Sequence, residues 1–247
     1  MDFDTPIYKT MDFARQQYAN QESVHGCTLL QHCVSVAKTA ENIAIKLYQD
    51  VREDLIGPET RETLITIAHG ALLHDVINVS RCAFEHIAER TTVQVAALVA
   101  DLSRDYRLVE TKRDMEFRGR LSQSPVGSQV VAVADIICTG KEVCAMVKER
   151  GLGCVPKARK ILMQLDGDLL AIHAASRFYT LRLYVHAARN LLQDASQMIK
   201  ECKREARTAR LAARATQELR SKVAAKVTSE EKTKKEKEPA CGKKRIG

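Results

Sequence analysis

Apolar residues recur at helical spacing along almost the whole chain, and this periodicity constrains the fold more than any other feature. Leu30, Val34 and Ala37 follow one another at intervals of three or four residues, as do Ile67 and Ala71. Such spacing is typical of helices that bury one face. Convincing strand alternation is absent from the sequence. We therefore predict an all-α fold built from stacked helices.

The β-branched run Val130–Ala134 is the segment that could instead form a strand. It continues without a break into Asp135, Ile136 and Ile137, and the combined apolar stretch has the length of a buried helix. We interpret it as a helix.

Breaks in the periodicity divide the chain into three parts. Turn-forming residues occur at Gly57-Pro58, from Ser122 to Gly127 and from Gly151 to Pro156. We predict a domain over residues 1–155, a helical extension over 156–227 and a disordered basic tail over 228–247. The extension is first apolar and then rich in Ala, Arg and Glu, which are helix formers. It is a possible surface for self-association.

The net charge of +8 is concentrated at the C-terminal end. Residues 201–247 contain 15 Lys and Arg against 7 Asp and Glu, whereas residues 1–200 contain 24 of each sign. Because phosphate-backbone binding needs clustered cations, a charge-balanced body makes nucleic-acid binding by the folded domain an unfavoured hypothesis. A weaker alternative makes the tail a nucleic-acid or ribosome anchor, but its interspersed Glu and lack of aromatic residues favour a solvated tail.

The cysteine pattern and the hydropathy favour a cytoplasmic protein. The eight cysteines form no CxxC pair, and no apolar run reaches the roughly 20 residues that a membrane helix needs. We expect reduced thiols in a soluble, cytoplasmic protein without a membrane partner.

Four residues could hold a metal ion. His74 and Asp75 are adjacent at the end of an apolar helical stripe, His32 lies at the head of an earlier helix, and Asp135 interrupts the apolar run described above. An unpaired buried carboxylate costs several kcal/mol, so Asp135 needs a cation or several hydrogen bonds. Imidazole and carboxylate ligands suit Mn, Fe, Zn or Mg.

These positions and their surroundings resemble the HD phosphohydrolases, and most closely the RelA/SpoT-type (p)ppGpp hydrolases of the small stand-alone kind. The similarity covers about residues 10–150. The matching residues are Phe13-Ala14, Gln21, Gly26, His32–Ala37, Ala71–Ile77, Arg118, Leu121, Ser124 and Val130–Asp135. The resemblance implies an HD-domain helical bundle in which His32, His74, Asp75 and Asp135 bind one divalent metal, most commonly Mn, with Fe, Zn or Mg as alternatives.

The sequence also departs from that family's pattern. Asn78 and Val79 stand where those hydrolases have the Glu-Asp pair credited with activating water, and neither can act as a base. Glu22, Ser23 and Val24 replace an expected basic residue, and Thr139 replaces an expected Asn.

Two functional hypotheses follow. The first is a metal-dependent phosphohydrolase of the (p)ppGpp-hydrolase type, acting on a nucleotide or related phosphoester, in which the ion activates water without the family's base. Asn78 occupies the catalytic position, and Glu85 is the candidate substitute base. The alternative is a catalytically degenerate domain that serves as a metal-stabilised binding or regulatory module. Four ligands kept for structure alone could have been replaced by apolar residues, so we favour the enzyme.

Other residues carry weaker hypotheses. His69 is interpreted as a packing or surface histidine, and His25 as an exposed loop residue that could line the mouth of the site. Cys33 and Cys138 flank proposed ligands, but buried small hydrophobic roles explain both.

Overall fold

The computed structural model describes residues 7–23, 26–49 and 58–236, with side chains omitted for residues 58–60, 219–220 and 223–236. In the described chain ten α-helices follow one another with one short 3₁₀ turn, Gly151–Cys154. The helices are α1 Ile7–Gln17, α2 Leu29–Gln49, α3 Pro58–Leu73, α4 Val76–Ser80, α5 Phe84–Arg90, α6 Val93–Leu102, α7 Glu110–Gln123, α8 Val126–Arg150, α9 Val155–Ala175 and α10 Tyr179–Glu236.

Helix α8 runs through the centre of the core. Residues 130–134 of α8 are buried, and this run is helical as predicted. A helix that is apolar on every side is one that is surrounded by protein. Around α8 the main cluster of buried side chains comes from α2, α3, α6, α7, α9 and the beginning of α10, while a second cluster joins α1, the ends of α2 and α3, α5 and α6.

Two glycines allow neighbouring helices to approach closely. A Cβ at Gly70 of α3 would lie 2.5 Å from Leu98 of α6, and one at Gly140 of α8 would lie 3.1 Å from Leu191 of α10. A side chain at Gly70 would force Leu98 to move, and one at Gly140 would require a smaller shift of Leu191. The first contact joins α6 to α3, which ends directly before His74, and the second joins α10 to α8, which carries Asp135.

The chain divides into two compact units, residues 1–199 and 200–247. The first unit extends beyond the predicted boundary at residue 155 because α9 and the first part of α10, including Leu181 and Ile199, bury apolar side chains in the same core. In the second unit α10 is helical to Glu236, past the predicted start of the tail at 228, and its described side chains are mostly exposed. Residues 237–247 lie outside the described part, so the disordered tail stays a prediction, as does self-association.

Within the described residues, none of the helices combines the length and the apolar character that crossing a bilayer requires.

Candidate metal centre

A capping box at the start of α2 positions His32. The backbone N–H of Thr28 donates to Oε1 of Gln31 at 3.0 Å, and the backbone N–H of Gln31 donates to Oγ1 of Thr28 at 3.2 Å. This reciprocal pairing satisfies free N–H groups at the helix start. It fixes His32 in the first turn, where the side chain is 5% exposed.

A break between two helices positions His74 and Asp75. Helix α3 ends at Leu73 and α4 begins at Val76, so the two residues lie in the turn between them. Adjacent residues of a continuous helix diverge by about 100°. Here the two side chains lie together, with Nε2 of His74 3.5 Å from Oδ2 of Asp75.

Helix α8 contributes a polar face at helical spacing. Asp135, Thr139 and Glu142 follow one another at intervals of four and three residues, so they share one face. Oγ1 of Thr139 donates to Oδ1 of Asp135 at 3.0 Å. Oε1 of Glu142 lies 2.7 Å from Nδ1 of His32.

The three elements meet at a cluster of potential ligand atoms. One nitrogen each of His32 and His74 and one oxygen of Asp135 lie within 4.8 Å of one another. Nε2 of His32 is 3.2 Å, and Nε2 of His74 3.9 Å, from Oδ1 of Asp135. The fourth proposed ligand, Asp75, is not part of this group of three, although its Oδ2 lies 3.5 Å from Nε2 of His74. An ion that lay about 2.0–2.2 Å from each ligand atom would hold neighbouring ligand atoms at distances similar to those found here.

The hydrogen bonds around the two histidines orient their Nε2 atoms toward this cluster. Nδ1 of His74 donates to the carbonyl of Ala71 at 2.8 Å, so in the neutral histidine, the form that binds a metal, Nε2 is the acceptor nitrogen. That Nε2 is buried and has no hydrogen-bond partner among the described residues. Glu142 orients His32 in the same way, as carboxylates commonly do for metal-binding histidines. An unpartnered buried acceptor beside carboxylates fits a divalent cation.

The carboxylates strongly perturb the titration of the histidines. Burial lowers the pKa of His32, but hydrogen bonds to Asp135 and Glu142 outweigh it and raise that pKa to about 11. Burial also lowers the pKa of His74, and the nearby Asp75 is the main opposing influence that raises it to about 10. Burial raises the pKa of Asp135, but the two histidines bring it down to about 2. The charged forms of the histidines and the carboxylates therefore stabilise one another, and a bound divalent cation would take the place of the histidine protons.

A cavity of about 370 Å³ opens from this cluster. His32, His74, Asp75 and Asp135 form one group of its lining residues, which we call the metal end. Arg104 and Asp168 form a second group of lining residues, which we call the distal end. At the distal end Asp168 accepts hydrogen bonds from Arg104 and, at 3.0 Å, from Nε of Arg118.

Asn78 lies between the two ends in a structural position. Its Nδ2 donates to Oδ1 of Asp75 at 3.1 Å, and its Oδ1 accepts from the backbone N–H of Arg104 at 3.1 Å. Both halves of the amide are thus used in holding the surrounding chain. Val79 also lines the cavity, where it offers only apolar surface.

The other candidates lie outside the cavity. Glu85 is exposed on α5 and is not among the residues that line the cavity. His69 is buried, with Nδ1 2.7 Å from Oγ1 of Thr10, which is the packing role we expected. Cys33 and Cys138 are buried free thiols. His25 lies outside the described residues.

Glu142 is the site residue that sequence reasoning missed. Its spacing from Asp135, four and then three residues by way of Thr139, was the available signal, because three polar residues repeat along one face of an otherwise buried helix. The Arg104–Asp168 pair was missed as well. The partners are 64 residues apart, and no local pattern joins them.

Comparisons with known proteins yield a structural match. No protein-family model matches the chain, and no curated protein does. A solved structure described as a metazoan ortholog of SpoT that hydrolyzes ppGpp and plays a role in starvation responses matches with a TM-score of 0.55 and 14% sequence identity. The match covers 73% of this chain and 92% of that one. At this identity the likeness shows the fold: the chain shares the all-α fold of that protein, and the all-α prediction is confirmed.

Proposed function

We propose that this protein is a metal-dependent phosphohydrolase that acts on a nucleotide or a related phosphoester. The observation that carries the proposal is the buried Nε2 of His74, which has no hydrogen-bond partner among the described residues and faces Asp135 and Asp75 at the bottom of an open cavity. The fold shared with a ppGpp hydrolase supports the same reaction class.

His32, His74, Asp75 and Asp135 would hold the ion. Two nitrogens and carboxylate oxygens form a ligand set that suits Mn, Fe, Zn or Mg, and we expect Mn. A divalent ion bound at such a site would lower the pKa of a bound water molecule and polarise a phosphoryl oxygen.

The residues of the chain have distinct roles in this proposal. Glu142 and the carbonyl of Ala71 accept from the Nδ1 atoms of His32 and His74, which leaves the Nε2 atoms of both histidines for the ion at the metal end. Thr139 holds the Asp135 carboxylate in place. The apolar walls of the cavity, which include Leu102 and Phe117, exclude water from the bound substrate.

Hydrolysis without a protein base is expected to be slow. A positioned general base typically contributes about 10²- to 10⁴-fold, and the Asn78 amide cannot accept the proton of water. Glu85 is not among the residues that line the cavity, so it is not positioned to replace that base. The expected enzyme is therefore functional but inefficient.

Phosphate release from a panel of nucleotides and simple phosphoesters, measured with Mn²⁺ present, tests the proposal. Metal-dependent turnover by the natural protein that is lost in His74→Ala is the expected result. The matched control is His86→Ala, since His86 is exposed on α5 and is not among the residues that line the cavity. Turnover unaffected by His74→Ala would contradict the assignment.

The engaged amide of Asn78 favours a second candidate, a metal-stabilised binding module. The double variant Asn78→Glu, Val79→Asp separates the two. If both the natural protein and the double variant bind metal but turn over none of the panel, the module is favoured. Turnover in the double variant alone would identify a hydrolase that has lost its base and kept its pocket.

A further inference from the structure

The charges that line the cavity are unbalanced. Five carboxylates line it, whereas among the described lining residues Arg104 is the one Lys or Arg. The carboxylates belong to Glu22, Asp75, Asp135, Glu142 and Asp168. A bound divalent ion and Arg104 would together leave this surface negative, since histidines that bind a metal are neutral.

Arg104 is already committed to protein partners. One terminal nitrogen donates to Oδ1 of Asp114 at 2.8 Å, and the other donates to Asp168. Its guanidinium carbon lies 3.9 Å from the centre of the Phe117 ring, and the side chain is 10% exposed. A guanidinium paired on two sides and stacked on a ring has little capacity left to bind a second phosphate.

Glu22 adds a negative charge at an exposed position of the lining. Its backbone forms an isolated bridge with Thr28, the residue that caps α2. The side chain therefore lies on a loop tied to the metal end. An anionic group of a ligand that extended past the ion would approach this carboxylate.

The remaining wall of the cavity is apolar. Leu102, Phe117, Leu121, Ile161 and Leu165 line it beside the polar groups of Thr139 and Gln164. Such a wall stabilises an uncharged body by burying its apolar surface. It offers no cation to a second or third phosphate.

We infer that the cavity selects a phosphomonoester with one phosphate on an uncharged body, such as a nucleoside, and discriminates against di- and polyphosphates. The inference rests on the proposed function for the placement of the phosphate at the metal end. Each added phosphate brings a further negative charge toward carboxylates that no free cation of the described lining balances. The metal end accommodates one phosphate, and the apolar wall accommodates the body.

The test compares adenosine 5′-mono-, di- and triphosphate, with 4-nitrophenyl phosphate as a second monophosphate. Dissociation constants are measured by calorimetry on Mn²⁺-loaded protein at fixed free Mn²⁺, and phosphate release is measured separately. We expect affinity to fall roughly tenfold from the mono- to the diphosphate, the size expected when one like charge is added near a protein surface.

The variant Glu22→Gln shows whether the lining charge causes this preference. It should reduce the ratio of the diphosphate to the monophosphate dissociation constant about two- to fivefold. The effect is limited because an exposed charge is partly screened. Glu89→Gln, which removes an exposed carboxylate of α5 outside the cavity lining, should leave that ratio unchanged. Chelation of Mn²⁺ by the nucleotides is the same for all three proteins, so it cancels in the comparison.

The two claims fail differently. Monophosphates that bind more tightly than diphosphates but are not hydrolysed would overturn the proposed function and support the selectivity. Diphosphates that bind as tightly as monophosphates, or a metal-loaded protein that binds neither monophosphate, would overturn the selectivity, whatever the hydrolysis assay shows.

Discussion

The two ends of the cavity are both rich in charged groups, yet they are organised in opposite ways. At the metal end the potential ligand atoms of His32, His74 and Asp135 lie within 4.8 Å of one another. The Nε2 of His74 has no hydrogen-bond partner among the described residues. At the distal end Asp168 pairs with Arg104 and Arg118, and Arg104 pairs also with Asp114. Groups that satisfy one another stabilise the fold, whereas groups left unsatisfied in an open cavity are available to a ligand.

This comparison predicts that substitutions at the two ends affect different measurements. Those at the distal end should lower stability and leave metal binding intact. Those at the metal end should remove the ion and change the stability of the metal-free protein much less.

The largest expected effect is at Asp168. The variant Asp168→Asn leaves Arg104 buried without its full counter-charge, which should lower the free energy of unfolding by about 3 kcal/mol. We place the loss at the lower end of the usual range because Arg118 is 31% exposed and can be rehydrated. Chemical denaturation measures the loss, and calorimetry on the folded variant should show unchanged Mn²⁺ affinity.

The control for Asp168 is Glu116→Gln, which breaks an exposed pair with Arg120 and should cost less than about 1 kcal/mol. A loss of metal binding in folded Asp168→Asn would show that the two ends are one functional unit, contrary to the comparison.

The next effect is at Glu142, which contacts His32 behind its metal-facing nitrogen. Replacing the carboxylate by an amide in Glu142→Gln should weaken Mn²⁺ binding by about 10- to 100-fold, the usual size for a group that orients a metal-binding histidine. Calorimetric titration measures it. Glu41→Gln, at an exposed position of α2, is the matched control and should bind Mn²⁺ normally.

If Glu142→Gln binds Mn²⁺ as tightly as the natural protein, Glu142 does not orient His32. Its contact with that histidine would then be a feature of the metal-free site alone.

The smallest expected effect is at the C-terminus. Deleting residues 228–247 should leave the free energy of unfolding unchanged, because the segment is nearly devoid of apolar residues and adds none to a core. A melting curve of the truncated protein beside the full chain measures it. A marked drop in melting temperature would show that the segment packs on the rest of the protein.

The sequence was informative where a local pattern carried the signal. Helical periodicity predicted the all-α fold, and three of the four ligands proposed from the sequence, His32, His74 and Asp135, lie close together as a potential ligand group. The remaining site residues could not be predicted because they are far apart in the sequence. Glu85 was the acid considered as a substitute base, but it is exposed and does not line the cavity. The distal ion pairs join residues that are distant along the chain, and only the packing of α6, α7 and α9 brings them together.

The central claim is that the metal end binds a divalent ion, and elemental analysis of the purified protein tests it most directly. We predict about one Mn, Fe or Zn per chain in the natural protein, retention of that ion in His86→Ala, and its loss in folded His74→Ala, since one missing ligand leaves the others unable to hold the ion. A natural protein that contains no divalent metal and takes up no Mn²⁺ when it is supplied, or a His74→Ala variant that keeps the full amount, would contradict the account.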